Sequence, residues 1–353
     1  MLQKQTTITA SPIAVERAID ELRRQMGIVI VGENGDALAY YPVEFADEKT
    51  LSTLRSPSLR LLLTGARAKT LGLPGLDTQI AAQGLSSDEI LALSNPLASL
   101  KTRPDIMPAP ASASDSLALK LAKYASLLPA LLMNAGSDAT SAWLQVTAGD
   151  ISRYIDAPLI DIVETASAQL PIEGAEHARI VSFRSRYSTA VHLALIIGDA
   201  ASEPAPLTRI HSSCVTGDIL GSLRCDCGDQ LKLALRQISA AGSGLLIYLH
   251  QEGRGIGIAN KLRAYQLQER GVDTYDANLM LGFEEDERDF SIAAAILKKL
   301  GVTTIRMLTN NPHKLAAMQK AGIGIAERLP LAAPPGKHNH GYLETKGKAG
   351  HWI

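Results

Sequence analysis

Three cysteines, Cys214, Cys225 and Cys227, share the run HSSCVTGDILGSLRCDCGD, and the 353-residue chain has no others. A C-x10-C-x-C cluster is most simply read as a metal site, which obliges the fold to bring three sulfurs to one point. Three thiolates suit zinc, and three protein ligands leave a fourth tetrahedral position open, the arrangement that separates a catalytic zinc from a structural one. The competing reading is three buried thiols acting as small hydrophobes. Arg224, Asp226, Gly228 and Asp229 surround the pair, so the segment is polar and turn-like and suits apolar burial poorly. The odd count and close spacing argue against a disulfide framework and for a reducing compartment.

The length fits two domains or one large one. Hydrophobic residues make up 46% of the chain, which supports a real core and argues against global disorder. A formal net charge of −1 provides no overall field for nucleic acid or an acidic membrane. Any anion must therefore be held by locally placed Arg and Lys. No run approaches the roughly 18 apolar residues of a membrane helix, and the first twenty residues contain no signal-peptide core. The expectation is a soluble, cytoplasmic protein that engages neither membrane nor nucleic acid.

The two halves differ in chemistry. All eight histidines lie from His177 onward, as do the cysteines, so the first half cannot build a site that needs either. There, Val15, Ala18, Ile19 and Leu22 share one face of a helix expected over Ala14 to Met26. Strands are expected at Gly27 to Val31 and Leu59 to Thr64, a Pro/Ala/Ser-rich loop at 102–116, and a helix from Leu117 to Leu132. A boundary near Asp156 to Gln169 divides the chain into domains 1–160 and 161–353. The second half alternates strand, loop and helix, with strands at Gly244 to Leu249 and Thr304 to Leu308 and helices around Leu231 to Ile238, up to Arg270, at Ile292 to Leu300 and from His313. That is the grammar of an α/β domain, within a chain that is mixed α+β overall, and its ligands should gather at loops after strand carboxyl ends.

Four loops carry the chemistry worth weighing. Zinc on the cysteines would lower the pKa of a water it holds. QEGRGIG, Gln251 to Gly257, has glycines that admit a phosphate and Arg254 as anion donor, or it is a tight turn with a solvated arginine. FEEDERDF places Asp286 and Arg288 two apart, on one side of an extended segment, as a base beside a phosphate-holding cation; the plainer reading is a charged helix cap. LTNNPHK puts Lys314 at a helix start, where anions are attracted, or is an ordinary capped turn. Together they suggest hydrolysis of a phosphorylated substrate.

RIHSSCVTGDILGSLRCDCGDQL, QEGRGIGIANKLRAYQLQ, GFEEDERDF and LTNNPHK closely resemble, in order and spacing, the motifs of GTP cyclohydrolase II, over about Leu170 to Gly350. That family opens the imidazole ring of GTP, releasing formate and pyrophosphate and beginning riboflavin biosynthesis. The resemblance implies one zinc per subunit on Cys214, Cys225 and Cys227, and Mg2+ accompanying the triphosphate. It implies Asp286 as proton acceptor and Arg288 as nucleophile or electrostatic stabiliser at the α-phosphate. Tyr265 would stand near the reacting ring, unless it is a helix-face aromatic packed into the core. GTP contacts would come from Arg209, Ile210, His211, Ser212, Ser213, Gln230, Glu252, Gly253, Arg254, Thr274, Thr309 and Lys314, and the protein would be a homodimer. The family usually has HSEC where this chain has His211-Ser212-Ser213-Cys214. Its EANHQLGF is here Asp276-Ala-Asn-Leu-Met-Leu-Gly-Phe283, without the histidine.

The first half is similar to a worn 3,4-dihydroxy-2-butanone 4-phosphate synthase, in VERAIDELRRQMGIVIVGENGD and LLLTGARAKTLGLPGL. The synthase's acidic loop is shortened to Gly32-Glu-Asn-Gly-Asp36, and its HTEA segment has become Ser112-Ala-Ser-Asp-Ser116. The expectation is a non-catalytic domain with a structural, dimerising or regulatory role. Two alternatives remain open at this point: a bifunctional enzyme with synthase activity, and a non-catalytic zinc module.

Overall fold

The computed structural model describes residues 12–99, 104–135, 140, 142–156, 161–185, 188–333, 347 and 350. The chain forms two compact units, Met1–Leu159 with Ile256–Glu287 and Ile160–Gly255 with Arg288–Ile353. Among the described residues each contains a seven-stranded sheet, so the fold is mixed α/β. No helix among the described residues is long and apolar enough to cross a membrane.

The first unit opens with α1 (Pro12–Arg23), in which Val15, Ala18, Ile19 and Leu22 are all buried, as a stripe with steps of three and four demands. Then come β1 (Ile28–Val31), β2 (Ala37–Pro42), α2 (Glu48–Leu54), β3 (Arg60–Leu63), α3 (Gly65–Thr70), β4 (Thr78–Ala81), α4 (Ser87–Ser94), β5 (Pro108–Pro110), α5 (Ala113–Tyr124), β6 (Ala130–Ala135), β7 (Leu144–Thr147) and α6 (Ala148–Asp156). The strand order is β5-β4-β3-β6-β2-β1-β7, with β1 and β7 parallel.

The helix expected over 117–132 is corrected in both directions. It starts early, because Ser112 caps it through a capping box with Asp115, which satisfies two amides that the first turn leaves open. It stops at Tyr124, because Ser126 adopts a positive φ of 60° and Pro129 has no amide hydrogen to continue the ladder. The apolar run that follows is the buried strand β6, flanked by β3 and β2. Such a run reads equally as helix or strand by periodicity. Of the loop expected at 102–116, residues 102 and 103 lie outside the described ones; the rest holds β5 and the start of α5.

The second unit contains β8 (Ile162–Gln169), β9 (Arg179–Ser185), β10 (Val191–Ile197), β11 (Leu207–Ser212), α7 (Cys227–Ala240) and β12 (Gly244–Leu249). The chain then contributes α8 (Ile258–Glu269) and α9 (Thr274–Met280) to the first unit, and completes the second with α10 (Ser291–Lys299), β13 (Thr304–Leu308), α11 (Pro312–Lys320) and β14 (Gly324–Leu329). Of the expected boundary region 156–169, residues 157–160 lie outside the described ones; α6 ends at Asp156 and β8 begins at Ile162.

The second sheet runs β14-β13-β11-β12-β10-β9-β8. β11 is parallel to both β12 and β13, and β13 to β14, while β8, β9 and β10 are antiparallel. β11 and β12 are buried almost throughout, as expected for parallel strands covered on both faces. The loops that leave the carboxyl ends of β11, β12 and β13 are the cysteine segment, QEGRGIG and TNNP, the place where an open α/β sheet gathers ligands.

Candidate metal centre and active site

Cys214 lies two residues after the end of β11, and Cys227 opens α7 with Cys225 two residues before it. The three sulfurs lie within 4.8 Å of one another. Cys214 Sγ and Cys225 Sγ are 3.7 Å apart. That is far beyond a disulfide bond, about 2.05 Å, and matches the edge of about 3.8 Å expected between thiolates 2.3 Å from a tetrahedral zinc. Residues 215–219 form a single π-helical turn, and its Gly217 sits against all three cysteines. A Cβ there would meet Cys225 Sγ at 2.9 Å, Cys227 Cβ at 3.1 Å and Cys214 Sγ at 3.2 Å. Gly228 makes an equally tight approach, since its Cβ would stand 2.3 Å from the Gly217 carbonyl. Only a chain without side chains at these two positions can close the pocket.

The donor set fits zinc chemically as well. Hydrogen bonding from Cys214 raises the Cys225 thiol, and the same neighbour, with Cys225 and burial, pushes Cys227 well up. Three crowded thiols thus resist ionising together, and a divalent cation at their centre would supply the charge that makes them thiolates.

The loop is tied down by a buried carboxylate. Asp218 Oδ2 accepts from the Cys214 N–H at 2.9 Å and from the Tyr248 hydroxyl at 2.8 Å. His211 Nε2 lies 3.1 Å from both its oxygens. His211 and Tyr248 are register partners on β11 and β12, and their rings stack at 5.5 Å. Burial lowers the His211 pKa, so a neutral ring donating through Nε2 fits this arrangement. Sequence reasoning named His211 as a substrate contact but missed Asp218 and Tyr248. The place of Asp218 inside the cysteine loop is visible in the sequence, but its partner Tyr248 is brought to it only by strand pairing.

Buried cations stand nearby. Arg209 Nη1 donates to the Leu308 carbonyl at 3.0 Å, and Nη2 to Gln230 Oε1 at 2.7 Å; Gln230 in turn donates to Asp226 Oδ2 at 2.6 Å. Burial lowers the Arg209 pKa to about 10, leaving it charged at neutral pH. Lys314 Nζ donates to the Ile210 carbonyl at 3.0 Å. Lys314 and Arg288 both lie against the Phe290 ring, at 5.2 and 5.0 Å. Thr309 Oγ1 accepts from the Asn311 N–H at 3.0 Å. Around the strand ends, the buried atoms Arg209 Nε, His211 Nδ1, Ser212 Oγ and Gln251 Oε1 have no hydrogen-bond partner among the described residues. Buried polar atoms in such a state call for water or a ligand.

Residues 163–330 match the GTP cyclohydrolase II family. Over 365 aligned residues the chain is 40% identical to a GTP cyclohydrolase-2 of Azospirillum brasilense, spanning 96% of this chain and 94% of that one. The chain belongs to the GTP cyclohydrolase II family. A GTP cyclohydrolase-2 of Histophilus somni is 53% identical over 189 residues, covering 53% of this chain and 87% of its own length. The riboflavin biosynthesis protein RibBA of Phocaeicola vulgatus is 49% identical over 178 residues, covering 50% of this chain and 44% of that protein.

Within this cyclohydrolase, the glycine-rich loop is joined to the metal loop. Glu252 Oε2 accepts from the Val215 N–H at 2.7 Å and Oε1 from the Gly253 N–H at 3.0 Å. Ser213, at the HSEC departure, is buried; its N–H donates to the Leu249 carbonyl and its Oγ accepts from the Gln251 N–H at 3.1 Å. Gly253 and Arg254 both have left-handed backbone, φ 64° and 62°. For arginine that conformation costs energy and marks a shaped loop. Three other named residues belong to the first unit. Half-buried Tyr265 lies on α8 under Lys261 Nζ, 5.8 Å from the ring centre. Thr274 opens α9 and accepts from Gln268 at 3.1 Å. Asp286, half-buried, precedes the crossing back to the second unit.

Proposed function

We propose that this chain is a zinc-dependent GTP cyclohydrolase II, converting GTP to 2,5-diamino-6-ribosylamino-4(3H)-pyrimidinone 5′-phosphate, formate and pyrophosphate, the opening step of riboflavin biosynthesis. The observation that carries it is the three-sulfur cradle at the end of β11, with Arg209 and Lys314 buried beside it. Zinc bound there supplies a Lewis acid that makes water nucleophilic near neutral pH. Cys214, Cys225 and Cys227 would hold the ion, and Asp218 fixes the loop that presents Cys214. Mg2+ accompanying the triphosphate would offset charge on the pyrophosphate leaving group.

The polypeptide does the rest by positioning and charge. Arg288, whose planar guanidinium offers a fork of N–H donors, is assigned the stabilisation of charge developing at the α-phosphate, with Lys314 adding to the same field. Asp286 is assigned the proton from the attacking group at that phosphate. Tyr265 is assigned a place beside the reacting ring. Glu252 is assigned the guanine N1–H and amino group; a carboxylate offers about four acceptor sites, and two backbone donors already fix its orientation. Arg209 and Gln230 are bonded to each other, so their role toward GTP is to shape the floor of the site. The enzyme is assigned to the cytoplasm as a homodimer, with a non-catalytic N-terminal domain.

Purified protein given GTP and Mg2+ is expected to release formate and pyrophosphate, with one zinc per chain and a product mass matching the pyrimidinone. Zinc-loaded protein that releases neither would overturn the reading.

A further inference from the structure

The segment 256–287 carries two of the residues assigned above, Tyr265 and Asp286, yet it packs within the first unit. Its apolar side is sealed in one buried cluster, where Leu128 meets Ile256, Ala264, Leu267, Ala277, Leu281 and Phe283. Apolar burial alone holds a helix with little directional preference. The polar ties supply direction.

Those ties are placed at both helices. On α8, Arg263 forms an ion pair with Glu44, whose other oxygen accepts from the Leu128 N–H at 3.0 Å. Asn260 Nδ2 donates to the Ser126 carbonyl at 2.9 Å. Beyond α9, Thr64 Oγ1 donates to the Gly282 carbonyl at 2.8 Å. Lys123 Nζ pairs with Glu287 at 2.7 Å, one residue after Asp286, with both side chains four-fifths buried.

Arg67 is the most telling of them. It is 5% exposed, and burial lowers its pKa to about 10, so it stays charged. Its Nε donates to the Leu93 carbonyl at 2.8 Å, Nη2 to that of Ala92 at 3.1 Å, and Nη1 to that of Met280 at 3.2 Å. These carbonyls belong to the last turns of α4 and α9, where a helix leaves acceptors open and carries partial negative charge. One planar guanidinium therefore joins two helix ends, a geometry that a lysine ammonium cannot reproduce.

We propose that Arg67, Glu44 and Lys123 are positioning residues for the cyclohydrolase reaction: the N-terminal domain, which has no histidine or cysteine of its own, is a built-in scaffold for the segment bearing Tyr265 and Asp286. The proposal rests on the catalytic reading of those two residues. The scaffold fixes side chains that touch substrate, and small displacements of such groups cost about 10- to 100-fold in rate.

The test uses full-length, zinc-loaded protein as wild type, Arg67→Lys, Lys123→Ala and, as a control, Asp150→Ala, which removes an ion pair with the 62%-exposed Arg153 side chain. Hydrogen exchange of peptides across 256–287, zinc content, and formate release against GTP concentration are measured together. Arg67→Lys and Lys123→Ala are expected to speed exchange in that segment and lower kcat about 10- to 100-fold, with KM changing far less, zinc unchanged and the control like wild type. Lys123→Arg is expected to recover most of the rate. Unchanged exchange across 256–287, or wild-type kcat in both variants, overturns the proposal. Faster exchange everywhere with a lowered Tm does so too, because it signals general destabilisation. If Arg67→Lys does not fold, Lys123→Ala decides. If wild-type protein with zinc releases no formate, the catalytic reading has failed, and the exchange data still report whether the clamp exists.

Discussion

At the metal loop, side chains a few residues apart do separable jobs. Cys225→Ser exchanges a thiolate for a hydroxyl that zinc binds poorly, so metal content and formate release are expected to disappear together. Arg288→Ala leaves the sulfurs alone; zinc should stay at one per chain while turnover falls about 100-fold, as when a preorganised charge donor is removed. Normal turnover in either variant contradicts its assigned role. Asp218→Asn keeps the size of the side chain but removes the charge and one acceptor from a site serving Cys214, Tyr248 and His211. Groups that orient metal ligands are worth about 10- to 100-fold in affinity, and chelator competition is expected to show a loss of that order; an unchanged zinc affinity would mean the carboxylate merely packs. The cysteines were legible because three scarce residues crowd one loop. Asp218 was not, because its significance comes from the pairing of β11 with β12, which brings Tyr248 to it across thirty positions of sequence.

Strand β10 carries a titratable group of a different kind. His192 is 4% exposed, and its Nδ1 accepts from the His250 N–H at 3.2 Å, where the glycine-rich loop begins. Burial first, then the neighbouring His250 ring, lowers its pKa to about 4, against a weaker opposing pull from Asp289. Above about pH 6.5 the residue is neutral whether the chain is folded or not. Between about 6.5 and 4 the unfolded chain binds a proton that the folded one refuses, so stability falls as pH is lowered, by about 2 kcal/mol at pH 5. His192→Asn is expected to flatten the decline of the urea midpoint between pH 7 and pH 5; an identical slope in the variant would rule this residue out as its source. The elements around the site were readable in advance where composition was unambiguous. β12 is a short apolar run between glycine and a polar loop, and α11 follows a turn whose Asn311 caps it. The stretch 117–132 misled because LLPALLM satisfies helix and strand alike, and what decides is a positive φ at Ser126 together with a proline. Nor did the linear order of motifs reveal that α8 and α9 leave the second unit. QEGRGIG and GFEEDERDF flank them without a break in character, and only the apolar faces of those helices, once folded, show where they are buried.

For the molecule as a whole, the question is what the first half still does as an enzyme. Its sequence is similar to dihydroxybutanone phosphate synthase in two motifs and departs from it at two segments, each of which has a definite place in this fold. Gly32-Glu-Asn-Gly-Asp36 closes the β1–β2 hairpin, with the Gly32 N–H donating to the Asp36 carbonyl at 2.8 Å. Gly35 adopts the φ of +82° that such a turn requires. Ser112 and Asp115 form the capping box of α5, and Asp115, 1% exposed, accepts from the Tyr40 hydroxyl at 3.0 Å. A carboxylate committed to a helix cap and a buried phenol is not available to hold a metal or take a proton from a sugar phosphate, and no histidine precedes His177 to share the work. Ribulose 5-phosphate with Mg2+ is therefore expected to yield no dihydroxybutanone phosphate above the protein-free blank, by mass spectrometry, under conditions in which the same preparation turns over GTP. Ser112→His should not restore it, because the new ring would remove the α5 cap, at about 1 kcal/mol, while Asp115 stayed bonded to Tyr40. Detection of the four-carbon phosphate would show that the synthase reaction can run without histidine, and would make this chain bifunctional.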